Sequence, residues 1–295
     1  MTHMPELRPY GRTGLNVSAL GLGAAQVGDA RLSEAEAADL LAAAVDAGIN
    51  LIDTAPSYGL SEQRIGRHLA ARRHKLVLST KLGYGVAGLA DWTGPCITTG
   101  VEQALRVLRT DHIDIAHLHS CPRATLGRNE VIDALEQAKR AGKLRAIAYS
   151  GENEDLAFAM AMGRFDGFMA SLNFCDQRLI DEALPALNGA GFIAKRPSAN
   201  HPWRHSAAPV GEYCETYWHR WRAMGLSAHG LDWGELAIRF ALSIPGVASA
   251  IVGTGNVAHL QQNLAWAAAG PLPDQWLQEL RSAFREHDAD WVGQI

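Results

Sequence analysis

Long apolar runs are missing from this chain. No window of its 295 residues approaches the length of unbroken apolar sequence that a membrane-spanning helix needs, so none is expected. The first ten residues, "MTHMPELRPY", have neither a basic start nor an apolar core, and no secretory signal is expected. Positive charge is not in excess: 27 Lys and Arg against 31 Asp and Glu leave a net charge of −4, with no basic footprint for nucleic acid. Cysteine is scarce. Cys96, Cys121, Cys175 and Cys214 lie scattered with no Cys-x-x-Cys pair, which excludes a zinc knuckle or a disulfide framework and predicts free thiols in a reducing, cytoplasmic setting. Proline-rich linkers, charge blocks and low-complexity tracts are also missing, so residues 1–295 read as one domain.

What is present is a rhythm. Short apolar runs occur at 19–23, 49–53, 76–80, 113–118, 145–150, 167–172, 191–195 and 248–253. Between them, segments such as "SEAEAADLLAAAVDAG", "TTGVEQALRVLR" and "NEVIDALEQAKRAG" carry apolar residues at three- and four-residue spacing. Eight strand–helix units predict an α/β fold, a (β/α)8 TIM barrel, with an open doubly wound sheet as the alternative. "LRPYGRTGLNVS" predicts an N-terminal β-hairpin that plugs the lower mouth, and "PDQWLQELRSAFREH" an extra C-terminal helix. Insertions after the third and seventh strands, the second from Arg196 to about Gly230, fall on the face where such barrels build their sites.

The polar residues at strand ends are the informative ones. "INLIDTAPSYGLSE" ends a strand on Asp53, carries Tyr58 in a short loop, and starts a helix with Ser61 as the expected N-cap. Lys81 follows the third strand and His119 the fourth, so adjacent strands deliver an acid, a base and an imidazole to one rim. A buried Asp and Lys are expensive unless paired, which predicts an Asp53–Lys81 ion pair. An ammonium beside a phenol favours the phenolate, so Lys81 is expected to lower the pKa of Tyr58 toward the working range of a proton donor. A neutral His119 could donate to the same substrate oxygen. The set suits carbonyl–alcohol interconversion. His117 shares a face with His119, a spacing also found in metal-dependent barrel hydrolases, but the later strands end in Ser150, Leu172 and Lys195. A packed interior histidine and a metal-free site are therefore expected.

"NLIDTAPSYGLSEQRIGRHL", "LVLSTKLG" and "HIDIAHLHSCP" together resemble the aldo-keto reductase superfamily, from the hairpin to about Ala267. The resemblance implies a catalytic tetrad at Asp53, Tyr58, Lys81 and His119, with hydride exchanged with a bound nicotinamide. It implies a coenzyme path over Gly23, Ala24, Asp53, Ser150, Ser171, Arg196, Pro197 and Asn200, and over Gly253, Thr254, Asn256, His259, Gln262 and Asn263. In "GTGNVAHL" the free N–H groups of a helix N-terminus are expected to hold a phosphate. NADPH is the coenzyme the resemblance implies. NADH is admitted because Gly253 and His259 stand where a Lys and an Arg commonly grip the 2′-phosphate. At the nicotinamide end Gly151 replaces an Asn, Ser171 a Gln, and "AKRPSAN" a frequent Tyr-Ser-Pro, so the stacking aromatic is absent. Arg196 is read either as its substitute or, with Lys195, as a solvated rim charge.

Tyr84, Trp92, His201 and Trp203 on the two insertions are the candidate substrate wall, and "YCETYWHRWRAMG" at 213–225 reads as packing. A small-molecule carbonyl compound is the expected partner, without nucleic acid or membrane and with a homo-oligomer left open. The alternative function is a coenzyme-sensing regulatory subunit of the same fold. A metal-dependent hydrolase using His117 and His119 ranks below it.

Overall fold

A capping box shows how locally the elements are written. Ser33 accepts from the Glu36 amide and the Glu36 carboxylate accepts from the Ser33 N–H, which starts α1 (Glu34–Asp46) at the serine the sequence offers. The computed structural model describes residues 4–294. A hairpin of β1 (Leu7–Pro9) and β2 (Asn16–Ser18) comes first, paired antiparallel. Then β3 (Leu20–Gly23), β4 (Leu51–Asp53), β5 (Val77–Leu82), β6 (Ile113–His119), β7 (Leu144–Ser150), β8 (Gly167–Ser171), β9 (Gly191–Lys195) and β10 (Ser249–Gly253) run parallel in chain order. Strand β10 pairs with both β9 and β3, closing the barrel.

After α1, the helices are α2 (Ser61–Leu69), α3 (Gly94–Leu108), the short α4 (Arg123–Leu126), α5 (Glu130–Arg140), α6 (Asn153–Ala161), α7 (Arg178–Glu182), α8 (Glu215–Met224), α9 (Trp233–Ser243), α10 (Val257–Ala268) and α11 (Asp274–His287). Strand residues alternate between two cores. Leu22, Ile52, Leu78 and Phe168 face the helices. Leu51, Val77, Ile115, Met169 and Ile193 fill the barrel interior. Tyr10 and Leu15 of the hairpin turn and Val17 of β2 join that inner core, so the hairpin closes the lower mouth as expected.

Two readings are corrected. Ser61 is the first helical residue rather than the cap of α2, because its hydroxyl is committed elsewhere: it donates to the Ala24 carbonyl and accepts from Thr54 Oγ1. The insertion after the third strand is shorter than it reads, since Thr93 caps α3 four residues before the apolar pattern becomes obvious. The 213–225 segment packs largely as expected, with Tyr217 fully buried and Trp221 edge-on to Trp233. All four cysteines are buried and free. No helix among the described residues is long and apolar enough to cross a membrane.

Candidate active site

Strands β4, β5 and β6 bring their last inward side chains together. Lys81 Nζ donates to Asp53 Oδ2 at 2.6 Å and to the Thr54 carbonyl at 2.9 Å, both side chains being 2% exposed. Burial by itself would strip the Lys81 proton, but Asp53 and Tyr58 more than offset it and hold the ammonium above its ordinary pKa. Ser79 Oγ donates to the other carboxylate oxygen, Asp53 Oδ1, at 2.7 Å. Having spent its hydrogen there, Ser79 accepts from His117 Nε2 at 3.1 Å, which fixes the His117 tautomer. His117 is thus a fully buried interior residue supporting Asp53 through Ser79. Among the described residues no group of three or more His, Cys, Asp or Glu could hold a metal ion.

Tyr58 leans over this pair, its ring centroid 4.7 Å from Lys81 Nζ and edge-on to His119 at 6.3 Å. Here the structure corrects the sequence reading. Burial raises the phenol pKa by more than Lys81 lowers it, so the net shift is upward and Tyr58 is held as a protonated donor. His119 is pushed down to about 3 by burial, with Lys81 and Lys195 acting in the same direction. A neutral imidazole is what the site contains. In the pH–rate profile, therefore, His119 contributes no inflection between about pH 5 and 8, where an ordinary histidine titrates. An ionisation there that disappears in His119→Asn would contradict this.

Gly28 holds the Tyr58 loop in place, and sequence reasoning missed it. A Cβ on Gly28 would sit 1.6 Å from the Tyr58 carbonyl oxygen, and the Gly28 carbonyl accepts from the Leu60 amide at 3.0 Å. Backbone meets backbone, so no rotamer change relieves the clash. Gly28→Ala is expected to displace Tyr58 and lower turnover at least tenfold, since an ångström of misplacement costs about 100-fold. Steady-state rates beside a melting curve check this, and near-normal turnover would refute the contact. No pattern in "AAQVGDA" announces this role.

Beside Tyr58 opens a cavity of about 350 Å³ lined by Gly23, Ala25, Gln26, Asp53, Arg196, Pro197, Ser198, Asn200, His201, Tyr213 and Gly253 among others. Of the residues expected on the coenzyme path, Gly23, Asp53, Arg196, Pro197, Asn200 and Gly253 line this cavity. Ala24 does not line the cavity. Its side chain is fully buried and its backbone binds Asp53 and Ser61, leaving the neighbouring Ala25 to face the cavity. Gln26 fills the space beside Gly253, where a Cβ would lie 2.3 Å from Gln26 Oε1. The loop after β9 turns through left-handed residues at Arg196, Ala199, Asn200 and His201. Asn200 Nδ2 donates to the Tyr213 carbonyl at 3.2 Å.

The residues expected at the nicotinamide end differ in how they are engaged. Ser150 Oγ is buried without a protein partner, as is Ser198 Oγ in the cavity wall. Ser171 is engaged: it donates to Glu152 at 2.8 Å and accepts from Arg196 Nη1 at 3.2 Å. Arg196 is no solvated rim charge, since it also binds the Gln294 carbonyl and its guanidinium lies 4.7 Å from the Tyr213 ring centroid. Lys195 is largely buried and paired with Glu152. At α10, Asn256 Oδ1 accepts from the Ala258 and His259 amides, so the expected free N–H groups there are already capped. Thr254 and Asn263 are buried, whereas His259 and Gln262 are exposed on α10.

The substrate candidates divide. Tyr84 stacks on His119, meets Trp92 edge-on at 5.8 Å, and places its hydroxyl 2.7 Å from His119 Nδ1. His201 lines the cavity beside Tyr58 instead. Trp203 stacks with Phe174 and Trp233 and meets the His201 ring edge-on at 5.4 Å.

With this geometry in place, the comparisons are specific. A profile described as "Aldo/keto reductase family" matches residues 19–285. The chain is 30% identical over 285 residues to L-galactose dehydrogenase of Arabidopsis thaliana, covering 88% of this chain and 87% of that protein. It is also 30% identical over 305 residues to D-threo-aldose 1-dehydrogenase of a Pseudomonas species, covering 86% and 91%. The structure is similar to an aldo-keto reductase of Bacillus halodurans in its holo form, with a TM-score of 0.82, 26% identity, and 95% and 96% of the two chains covered.

Proposed function

The chain belongs to the aldo/keto reductase family and is an oxidoreductase, and we propose that it interconverts a small carbonyl compound and its alcohol through the tetrad Asp53, Tyr58, Lys81 and His119. A bound nicotinamide would supply or take up the hydride. The observation that carries this reading is the buried Asp53–Lys81 pair set against the Tyr58 ring. An ion pair this deep costs desolvation that a structural role would not repay. It is reasonable where its field acts on a reacting proton.

Each residue then has a task. Asp53, steadied by Ser79, fixes the ammonium of Lys81. Lys81 draws the Tyr58 phenol pKa down against the upward pull of burial, so that Tyr58 gives its proton to a developing alkoxide and recovers it in the reverse direction. The Tyr84 hydroxyl lies 2.7 Å from His119 Nδ1; in the tautomer that accepts there, the neutral His119 carries its hydrogen on Nε2 and directs it at the substrate oxygen. Tyr84 is thereby a positioning residue as well as a wall. The partnerless Ser150 hydroxyl is available to the carboxamide and that of Ser198 to the pyrophosphate, which is the fit expected of a dinucleotide. The substrate resembles those of the two similar dehydrogenases in being a small polyol or sugar, a class suited to the polar mouth formed by Ser57, Tyr84 and His119.

NADPH is the proposed coenzyme, with NADH accepted. Gly253 and Gln26 put no charge where a 2′-phosphate would lie, and His259 is a weaker, titratable cation. Titration by quenching of tryptophan fluorescence should show one-to-one binding of NADPH, with NADH within about one to two orders of magnitude, each order corresponding to about 1.4 kcal/mol. Failure of both dinucleotides to bind would remove the proposal. Binding without turnover of any aldehyde, lactol or alcohol offered would favour the coenzyme-sensing reading instead.

A further inference from the structure

The barrel mouth contains a second lysine–carboxylate pair. Strand β9 lies four places from β5 in either direction round the barrel, so it is the strand opposite the one that carries Lys81. Lys195 ends β9 two residues after Ile193, which belongs to the inner core, so both face inward. Lys195 Nζ lies 3.1 Å from Glu152 Oε1, with the lysine side chain 18% exposed and the glutamate 2%. The same Glu152 oxygen accepts from the Ser171 amide at 2.9 Å and from Ser171 Oγ at 2.8 Å. Glu152 Oε1 is thus shared by Ser171 and Lys195, and Lys195, facing inward at the C-terminal end of β9, stands at the barrel mouth. Arg196 Nη1, donating to Ser171 Oγ, adds a second positive group on the same side.

This wall and the tetrad enclose the place where the reacting ring must sit. The ring has to reach a carbon held at Tyr58 and His119 while its carboxamide meets the partnerless Ser150, whose strand lies between those of His119 and Ser171. We propose that Lys195, held by Glu152, is a positioning charge that disfavours the oxidised, cationic nicotinamide relative to the reduced, neutral one, and so tips the bound coenzyme toward accepting hydride from an alcohol. The inference rests on the proposed coenzyme role of the cavity. When an alcohol is oxidised, its carbon loses a hydride to the ring and its oxygen loses a proton to the Tyr58 phenolate, the form left once Tyr58 has given up its own proton. The ring therefore goes from cationic to neutral, and a fixed neighbouring cation makes that change more favourable. Lys195 lies within electrostatic reach of the tetrad: after burial and Lys81, its charge contributes to holding the His119 pKa down.

Dissociation constants for NAD+, NADH, NADP+ and NADPH provide the test, measured on wild type, K195M/E152Q and K195R. The double substitution removes both charges, so neither is left buried alone. Wild type is expected to prefer the reduced form of each couple, with the ratio of oxidised to reduced dissociation constants falling about tenfold in K195M/E152Q and being retained in K195R. ADP-ribose, which lacks the ring, is expected to bind all three proteins alike. An unchanged ratio in K195M/E152Q overturns the inference while leaving the coenzyme site intact. A ratio that moves as far in K195R as in K195M/E152Q identifies packing as the cause and also overturns it. Wild type that binds none of the four dinucleotides overturns the coenzyme reading itself.

Discussion

Tyr58→Phe is expected to reduce turnover by about 100- to 10,000-fold, the usual contribution of a general acid, while coenzyme affinity and melting temperature stay close to wild type. The ring is retained, with its edge-on contact to His119 and its place beside Lys81. Only the hydroxyl is lost. Because Tyr58 is only partly buried, and Asp53 and the Thr54 carbonyl still hold Lys81 once the hydroxyl is gone, the loss should appear in kcat rather than in stability. Steady-state rates with NADPH and an accepted carbonyl compound, beside a fluorescence titration, make the comparison. Near-normal turnover would transfer the proton to another donor, such as His119.

Lys81→Met is expected to lower turnover over a similar range and, unlike Tyr58→Phe, to destabilise the protein. The methionine fills much the same volume but leaves Asp53 buried with Ser79 as its remaining side-chain partner. Breaking a buried pair from one side costs about 3–5 kcal/mol. Without the ammonium, nothing nearby opposes the upward shift that burial imposes on Tyr58. Chemical denaturation and rate measurements on the same preparation check both halves. A variant with wild-type stability would mean that Asp53 is not held as an unpaired charge, and one with full activity would mean that the field of Lys81 does not reach the reaction.

The barrel was legible because its signals are local. Strand–helix alternation, the Ser33 capping box and the apolar spacing of α3 and α5 each lie within a few residues, and they were enough to place eight strands and to bring Asp53, Lys81 and His119 to one rim. The direction of the Tyr58 shift was not legible, since it depends on the depth of burial, which no short stretch of sequence records. Long-range partners were hidden for the same reason. Gly28 meets Tyr58 thirty positions away, Glu152 meets Lys195 across two strands, and Ser79 supports Asp53 through a hydroxyl that looks like any strand serine. The stacking of Trp203 on Phe174 and Trp233 was hidden likewise, because an aromatic in an inserted loop can face a ligand or a core. The reading of the α10 N-terminus overlooked that Asn256 is itself a good cap.

The central claim is that Lys81 acts through Tyr58, and a double-mutant cycle on single-turnover hydride transfer tests it most directly. Rates would be measured for wild type, Tyr58→Phe, Lys81→Met and the pair, each saturated with coenzyme and each shown to be folded. If Lys81 works by setting the proton on Tyr58, the double variant should be little slower than the slower single one, because the second substitution removes a function already lost. Losses that multiply would show the two residues contributing independently, and would contradict the claim.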